Sequence, residues 1–392
     1  MNEKIHVDAD WRSLFHFGEE LCGDRVMIRQ SDDCFVLVLA DGLGSGVKAN
    51  ILSTLTGTII SEMIFEGLSL NEAVETIAAT LPVCSEREVA YSTFTILQVF
   101  YDGHAHLAQY DNPAAVFLRS GEVMPIRKEE RRISGKTIYT SDLELKPGDH
   151  ILIFSDGILY AGTEQELNYG WDQNAVEAFL ADEIRPEDPA READRILLAM
   201  VNNLYGGKPY DDCTVADVHI VPAEETVVMA GPPAHREDDD KVMMKLMNAT
   251  RYKIVCGGTT SLVAARYLHT EVLTDTDSPM SEDVPPKAMI KGIDLVTEGL
   301  LTMQKANMFL RLAGQDHDFY EELLLSKEQD GASCLVRALG NSSRIRFLLG
   351  MSENEGHKGF GSSISLSAKQ MVIEEMADNL RRLGKIVTIE QY

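Results

Sequence analysis

Between residues 34 and 220 the chain repeatedly gathers apolar residues into runs of strand length: CFVLVLA, YSTFTILQVF, HAHLAQY, AAVFLRSG, HILIFS and CTVADVHIV. Runs this short, rich in β-branched and aromatic residues and bounded by Gly, Asp and Asn, predict strands. Two helical patterns are set among them. In the first, Leu52, Leu55, Ile59 and Met63 recur at helical spacing and predict a helix that buries that face. The second covers roughly residues 173–205, with Val176, Phe179, Leu180, Ile196, Leu197, Met200 and Val201 as its apolar positions. Strand runs with interposed helices predict sheets covered by helices, an α+β layered sandwich.

The pattern breaks in VPAEETVVMAGPPAHREDDDKV, residues 221–242, where prolines, small residues and an acidic run interrupt it. Beyond it the rhythm becomes short strand, then helix. RYKIVC leads into GGTTSLVAARYL, GIDLVTEG into LLTMQKANMFLRLAG, RIRFLLGMSEN into a final helix over about 366–383, and GKIVTIEQY closes the chain. Repeated β-α units predict a smaller α/β domain with a mostly parallel sheet. The expected organisation is one domain over 1–222, a linker over 223–240 and a second domain over 241–392. The Gly-Gly-Thr-Thr-Ser turn has two readings: a helix start that attracts an anion, or, favoured here, a helix capped by Thr260 or Ser261. Met303 and Met308 read as core, and the spacing of His317 and His357 supports no metal site.

Charge narrows the partners. The 392 residues carry 62 acidic against 36 basic side chains, a formal net charge of −26. Such a chain repels phosphate backbones, so nucleic acid is not an expected partner. Cysteines 22, 34, 84, 213, 256 and 334 form no C-x-x-C pair and read as small core residues of a reducing compartment. No window reaches the ~18 apolar residues of a membrane span and no signal-peptide core is evident. The expectation is a cytoplasmic protein without a membrane partner.

The candidate chemistry lies at strand ends. Asp-Gly is first a turn signal, and Asp102-Gly103 reads as an ordinary hairpin. Asp41 and Asp156 differ because each ends a long apolar run, FVLVLAD and ILIFSD, that would place a carboxylate at the rim of the core on a rigid strand. Asp211 and Asp212 stand immediately before another strand, and Asp24 just before the strand pair that leads to Asp41. Aspartates converging from these points would repel one another unless a cation neutralised them, and their hard oxygens suit Mg²⁺ or Mn²⁺. The glycines of DGLGSGVKAN serve the tight passage from strand to helix; a phosphate-cradling loop is the weaker alternative, since no Lys-Ser/Thr pair follows.

ADGLGSG, LKPGDHILIFSDGI and DDCTV, in this order, with CGD ahead and YDNPAAVFLRSGEV between, resemble the phosphatase domain of the stage II sporulation protein E type. This is a bacterial branch of the metal-dependent type 2C serine/threonine protein phosphatases. The resemblance covers about residues 1–222. It implies an α-β-β-α sandwich with two Mn²⁺ or Mg²⁺ ions at one end. Carried over by position, Asp41 would bridge both ions, the Gly42 carbonyl and Asp24 would bind one of them, and Asp156 and Asp211 the other. Asp212 would stand behind the ligands or hold water. The implied chemistry is attack on phosphorus by a hydroxide shared between ions about 3.5–4 Å apart, without a phosphoenzyme. Two positions depart from type 2C enzymes: Leu43 stands where many have histidine, and Glu20 where many have a phosphate-gripping arginine. By the same resemblance, the substrate would be a phosphorylated signalling protein such as an anti-sigma-factor antagonist.

Two other classes remain open at this stage. One is a catalytically weak, phosphoprotein-binding scaffold on the same fold; the other places a nucleotide on the Gly-Gly-Thr-Thr-Ser turn. The second domain matches no family, and sensing a ligand, binding the phosphoprotein or forming a homodimer are all roles open to it.

Overall fold

The computed structural model describes residues 5–31, 33–80, 92–133, 135–163, 171–275, 285–352 and 361–392. Cys84 and His357 lie outside them. The chain divides into two compact units, Met1–Pro222 and Ala223–Tyr392.

The first unit begins with β1 (Ile5–Leu14), β2 (Asp24–Gln30) and β3 (Cys34–Gly42), followed by helices α1 (Gly46–Phe65) and α2 (Leu70–Thr80). The strands β4 (Ser92–Phe100), β5 (His104–Tyr110), β6 (Val116–Arg119), β7 (Glu122–Met124), β8 (Glu129–Ile133), β9 (Lys136–Glu144) and β10 (Asp149–Phe154) come next. Helices α3 (Gln173–Glu183) and α4 (Ala190–Leu204) precede β11 (Cys213–Pro222). One antiparallel sheet has the order β2-β3-β4-β5-β9-β8, the other β1-β11-β10-β6-β7. Helices α1 and α2 pack on the first sheet through Val36, Val38, Ile60, Ile64, Val74 and Ile96. Helices α3 and α4 cover the second through Leu152, Phe154, Val176, Leu180, Leu197 and Val215. The unit is the expected α+β sandwich, with helices on the sheets. In β3, Val36 and Val38 face those helices while Leu37 and Leu39 point to the opposite side and are equally buried, which is why the run reads as continuously apolar.

Two helical expectations are corrected. Helix α1 buries Gly46, Ala49, Ser53, Thr56, Gly57, Ile60, Ser61 and Ile64. Leu55 and Ile59 are exposed, together with Val47 and Ile51, and Leu52 and Met63 are half-buried. The helix lies so close to the sheet that a Cβ on Gly57 would approach Met27 Cγ to 3.0 Å, so small residues face inward. Ser53 and Ser61 satisfy their hydroxyls on the carbonyls of Asn50 and Thr58. The pattern over 173–205 is two helices, parted at Ile184–Pro189, where Pro186 and Pro189 bar continuation.

The second unit opens with β12 (Glu225–Ala230), so the stretch expected as a linker contains a strand. Its Val227, Val228, Met229 and Ala230 are fully buried. Proline at 222 and at 232–233 frames a short apolar run and masks it as connecting chain. There follow α5 (Asp239–Met247), β13 (Lys253–Cys256), α6 (Gly258–Tyr267), β14 (Leu273–Thr274), β15 (Ala288–Met289) and β16 (Leu295–Thr297). Then come α7 (Leu300–Ala313), α8 (His317–Leu325), α9 (Gly331–Gly340), β17 (Arg344–Leu349), α10 (Gly361–Arg382) and β18 (Ile386–Gln391). The sheet order is β14-β15-β16-β13-β12-β17-β18, parallel from β16 to β18 with an antiparallel edge at β14 and β15. Helices α5 and α6 pack on one face, and α7, α9 and α10 on the other.

Thr260 and Ser261 do not cap α6. Its N-cap is Gly257, at φ +114°, without a side-chain cap. Thr260 Oγ1 instead accepts from the Gly231 amide at 3.0 Å, and Ser261 Oγ donates to the Gly257 carbonyl at 2.9 Å. No described helix is long and apolar enough to cross a membrane.

The corrected register of α1 is testable by urea denaturation. Ile60→Ala is expected to cost about 2–4 kcal/mol, whereas Leu55→Ser and Ile59→Ser each stay within about 0.5 kcal/mol of the parent.

Candidate metal centre

The antiparallel register sets Asp24 directly opposite Asp41 at the shared end of β2 and β3. From the second sheet come Asp156, two residues past the end of β10, and Asp211, two residues before β11. All four act on one another. Asp41 feels the charges of Asp24, Asp156, Asp211 and Asp212. Asp24 feels Asp212 and Asp211, and Asp211 feels Asp156. The structure thus brings together Asp24, Asp41, Asp156 and Asp211 from four separate parts of the chain.

The two glycines of the Asp-Gly pairs serve this convergence through their lack of volume. A Cβ on Gly42 would sit 2.1 Å from the Ala49 carbonyl oxygen in the first turn of α1. A Cβ on Gly157 would sit 2.2 Å from the Asp212 carbonyl oxygen. Neither has a positive φ, so these pairs are points of close approach more than reversals of direction. The positive φ values belong to Gly44 and Gly46, which turn the chain from β3 into α1.

Asp212 has a different task from its neighbour. Its Oδ1 accepts from the His16 amide at 3.0 Å and its Oδ2 from the Gly23 amide at 2.8 Å. It pins the segment between β1 and β2, and thereby the approach to Asp24. Three contributors escape sequence reasoning. Ser155 Oγ donates to Asp24 Oδ2 at 2.7 Å and accepts from the Thr214 amide at 2.9 Å, joining β10, β11 and β2. Asp111, in the left-handed region at φ +53°, bears by its charge on Asp156. His16 bears on Asp211 with the opposite sign. The signal for Asp111 was available in its Asp-Asn-Pro turn after a buried strand; a lone serine or histidine carries none.

Burial and mutual repulsion raise the carboxyl groups. Burial is the largest cause for Asp24, which is 5% exposed; with Asp212 and Asp211 it outweighs the bonds from Ser155 and Thr214, and the group is pushed up to about 8. Burial and then Asp156 lift Asp211 to about 6. Asp41 and Asp156 are raised for the same reasons. Burial followed by the charges of Asp24 and Asp212 lifts the Cys22 thiol to about 12, so it is no thiolate nucleophile.

The donor set fits hard divalent cations: carboxylates alone, crowded, with no lysine or arginine among the leading charges acting on them. As the side chains stand, no group of three or more His, Cys, Asp or Glu among the described residues encircles an ion.

Residues 31–220 match the family model of stage II sporulation protein E (SpoIIE). Stage II sporulation protein E of Bacillus subtilis is 24% identical over 192 residues, which is 47% of this chain. The chain spans 22% of that relative's length. Among solved structures, the PP2C phosphatase domain of B. subtilis SpoIIE with a fragment of its regulatory domain aligns with a TM-score of 0.50 at 18% identity. That alignment covers 56% of this chain and 64% of the other. The B. subtilis SpoIIE phosphatase domain in a crystal form without domain swapping gives 0.44 at 19% identity, over 57% and 95%. The first unit has the PP2C-type fold.

The crowding makes a signed prediction for the metal-free protein. A carboxyl group raised in the folded state binds a proton that the unfolded chain releases, so stability falls as pH rises from the ordinary carboxylate range through the raised value, about 8 for Asp24. Asp24→Asn is expected to raise the metal-free melting temperature near pH 8 by about 2–4 °C and to shrink the further rise that Mn²⁺ produces, both read by calorimetry.

Proposed function

We propose that the first unit, whose residues 31–220 match the family model of stage II sporulation protein E, is a metal-dependent phosphatase that hydrolyses phosphoserine or phosphothreonine on a signalling protein. The observation that supports this reading is the mutual electrostatic influence of Asp24, Asp41, Asp156 and Asp211, with no lysine or arginine among the leading charges acting on them. Asp41 would hold both of two Mn²⁺ or Mg²⁺ ions, Asp24 and the Gly42 carbonyl one of them, and Asp156 and Asp211 the other. When bound, such ions supply Lewis acidity to the phosphoryl oxygens and lower the pKa of water.

The chain's own residues do the positioning. Ser155 fixes Oδ2 of Asp24. Asp212, with both oxygens engaged by backbone amides, steadies the segment through which Asp24 is reached. Opposed β2 and β3 keep Asp24 and Asp41 at one register. With Leu43 and Glu20 at positions where relatives of this kind often carry histidine and arginine, affinity for the phosphoryl group rests on cations, and discrimination between phosphoproteins rests on surfaces away from the acids. An anti-sigma-factor antagonist or a similar phosphorylated regulator, met in the cytoplasm, is the class of substrate we assign. The domain boundaries near 222 and a regulatory or binding role for the second unit belong to the same proposal.

One observation favours a second reading. The acids do not encircle an ion as they stand, as expected of a catalytically weak scaffold that binds phosphoprotein on the same fold. Release of phosphate from an aryl phosphate with and without Mn²⁺ separates the two. Hydrolysis that requires Mn²⁺ and falls by about 10²-fold or more in Asp41→Asn supports the enzyme; absent turnover, or equal turnover in the variant, supports the scaffold.

A further inference from the structure

The contact between α4 and the sheet β1-β11-β10 has a polar interior well apart from the candidate centre. Asp194 on α4 has no exposed surface, and neither of its carboxyl oxygens has a hydrogen-bond partner among the described residues. Across from it on β11 stands Asp217, equally buried. One of its oxygens lies 2.7 Å from His150 Nδ1 on β10, while Oδ1 has no partner among the described residues. His219 on β11 stacks on His150, ring centroids 4.2 Å apart, and its Nε2 donates to the Pro186 carbonyl at 2.9 Å. Strand β1 contributes Asp8, whose carboxylate accepts from the Ala190 amide at the start of α4, and Asp10, which accepts from Arg12 Nε at 3.3 Å. The α3–α4 connection adds the Arg185 backbone carbonyl and the charge of Asp188, both of which favour protonated His150.

An ionised carboxylate with no donor, sealed from water and faced by three other acids, is electrostatically untenable; the side chain takes up a proton instead. A neutral Asp194 is a donor, and the unpartnered Oδ1 of Asp217 offers an acceptor in the same interface. We propose that Asp194 is held as the neutral acid at physiological pH and that seating α4 on the sheet is coupled to uptake of one proton, making this contact tighter in acid and looser in alkali.

The surrounding charges agree. Burial first, then the charges of Asp217 and Asp10, push Asp194 well above the carboxylate range; Arg12 opposes and Asp8 adds to the rise. The raised acid gives its stability at low pH and loses it as pH climbs through its folded value. His150 has the same sign: burial alone would lower it, but the Asp217 bond and charge prevail and raise it, so its contribution is also lost on going alkaline. The device is connected to the acidic centre, because α4 runs on to Tyr205, whose hydroxyl donates to the Gly157 carbonyl at 2.8 Å beside Asp156.

The test uses the full chain with saturating Mn²⁺, which keeps the acids of the candidate centre ionised. Hydrogen exchange of peptides within 190–204, corrected for intrinsic rates, is followed from about pH 6 to about pH 8.5, alongside the infrared band of protonated carboxyl groups. In the parent chain the opening equilibrium of α4 should increase by up to about tenfold per pH unit, and a protonated-carboxyl band should persist at the alkaline end. Asp194→Asn should remove that band and weaken the pH slope. Equal slopes in parent and variant, or no band lost, overturn the proposal. Should Asp194→Asn fail to fold, the parent alone decides: a pH-independent α4 opening, or no protonated-carboxyl band at the alkaline end, overturns the proposal, and a rising opening together with a persistent band sustains it.

Discussion

The first unit is organised around one electrostatic constraint: four carboxylates from distant parts of the chain stand near enough to raise one another's affinity for protons. Nothing favourable in the apolar core holds them there. They are held by the buried strands β3, β10 and β11, by a register that opposes Asp24 to Asp41, and by a serine and two amides that fix the acids or the segments carrying them. Repulsion of this kind is tolerable in a fold whose remaining contacts are strong, and it leaves the site poised to accept positive charge.

Much of this was legible in the sequence, for a definite reason. A carboxylate that closes an uninterrupted apolar run is conspicuous, as at Asp41 and Asp156, and the order of the short motifs reinforced each one. What stayed hidden depended on tertiary proximity. Ser155 matters because β2 and β11 pass on either side of it, and a single serine after a strand announces nothing of the sort. Asp212 reads from the sequence as standing behind the ligands or holding water, and which backbone amides its two oxygens accept from, those of His16 and Gly23, is visible only in the fold. In α1 the apolar spacing of Leu55 and Ile59 pointed to the wrong face, since closeness to the sheet selected glycine, alanine and serine over bulk. The run TVVMA was discounted because prolines enclosed it, although it forms β12 at the heart of the second sheet.

The second unit shows the same interplay at the level of topology. From β12 the sheet grows outward in both directions, with α5 and α6 on one face and α7, α9 and α10 on the other. That arrangement follows from the preferred handedness of β-α-β connections. It explains why the parallel strands read as short runs with an apolar centre, whereas the edge pair β14 and β15, two residues each and more exposed, left no pattern to find.

The meeting of Gly42 with the carbonyl of Ala49 has a mechanical corollary. Parts that touch with no slack behave as a linkage: α1 cannot slide toward the strand without displacing the neighbouring Asp41, and Asp41 cannot shift freely without carrying the helix. The outward row of Val47, Ile51, Leu55 and Ile59 is therefore the handle of a lever whose short arm ends at a carboxylate.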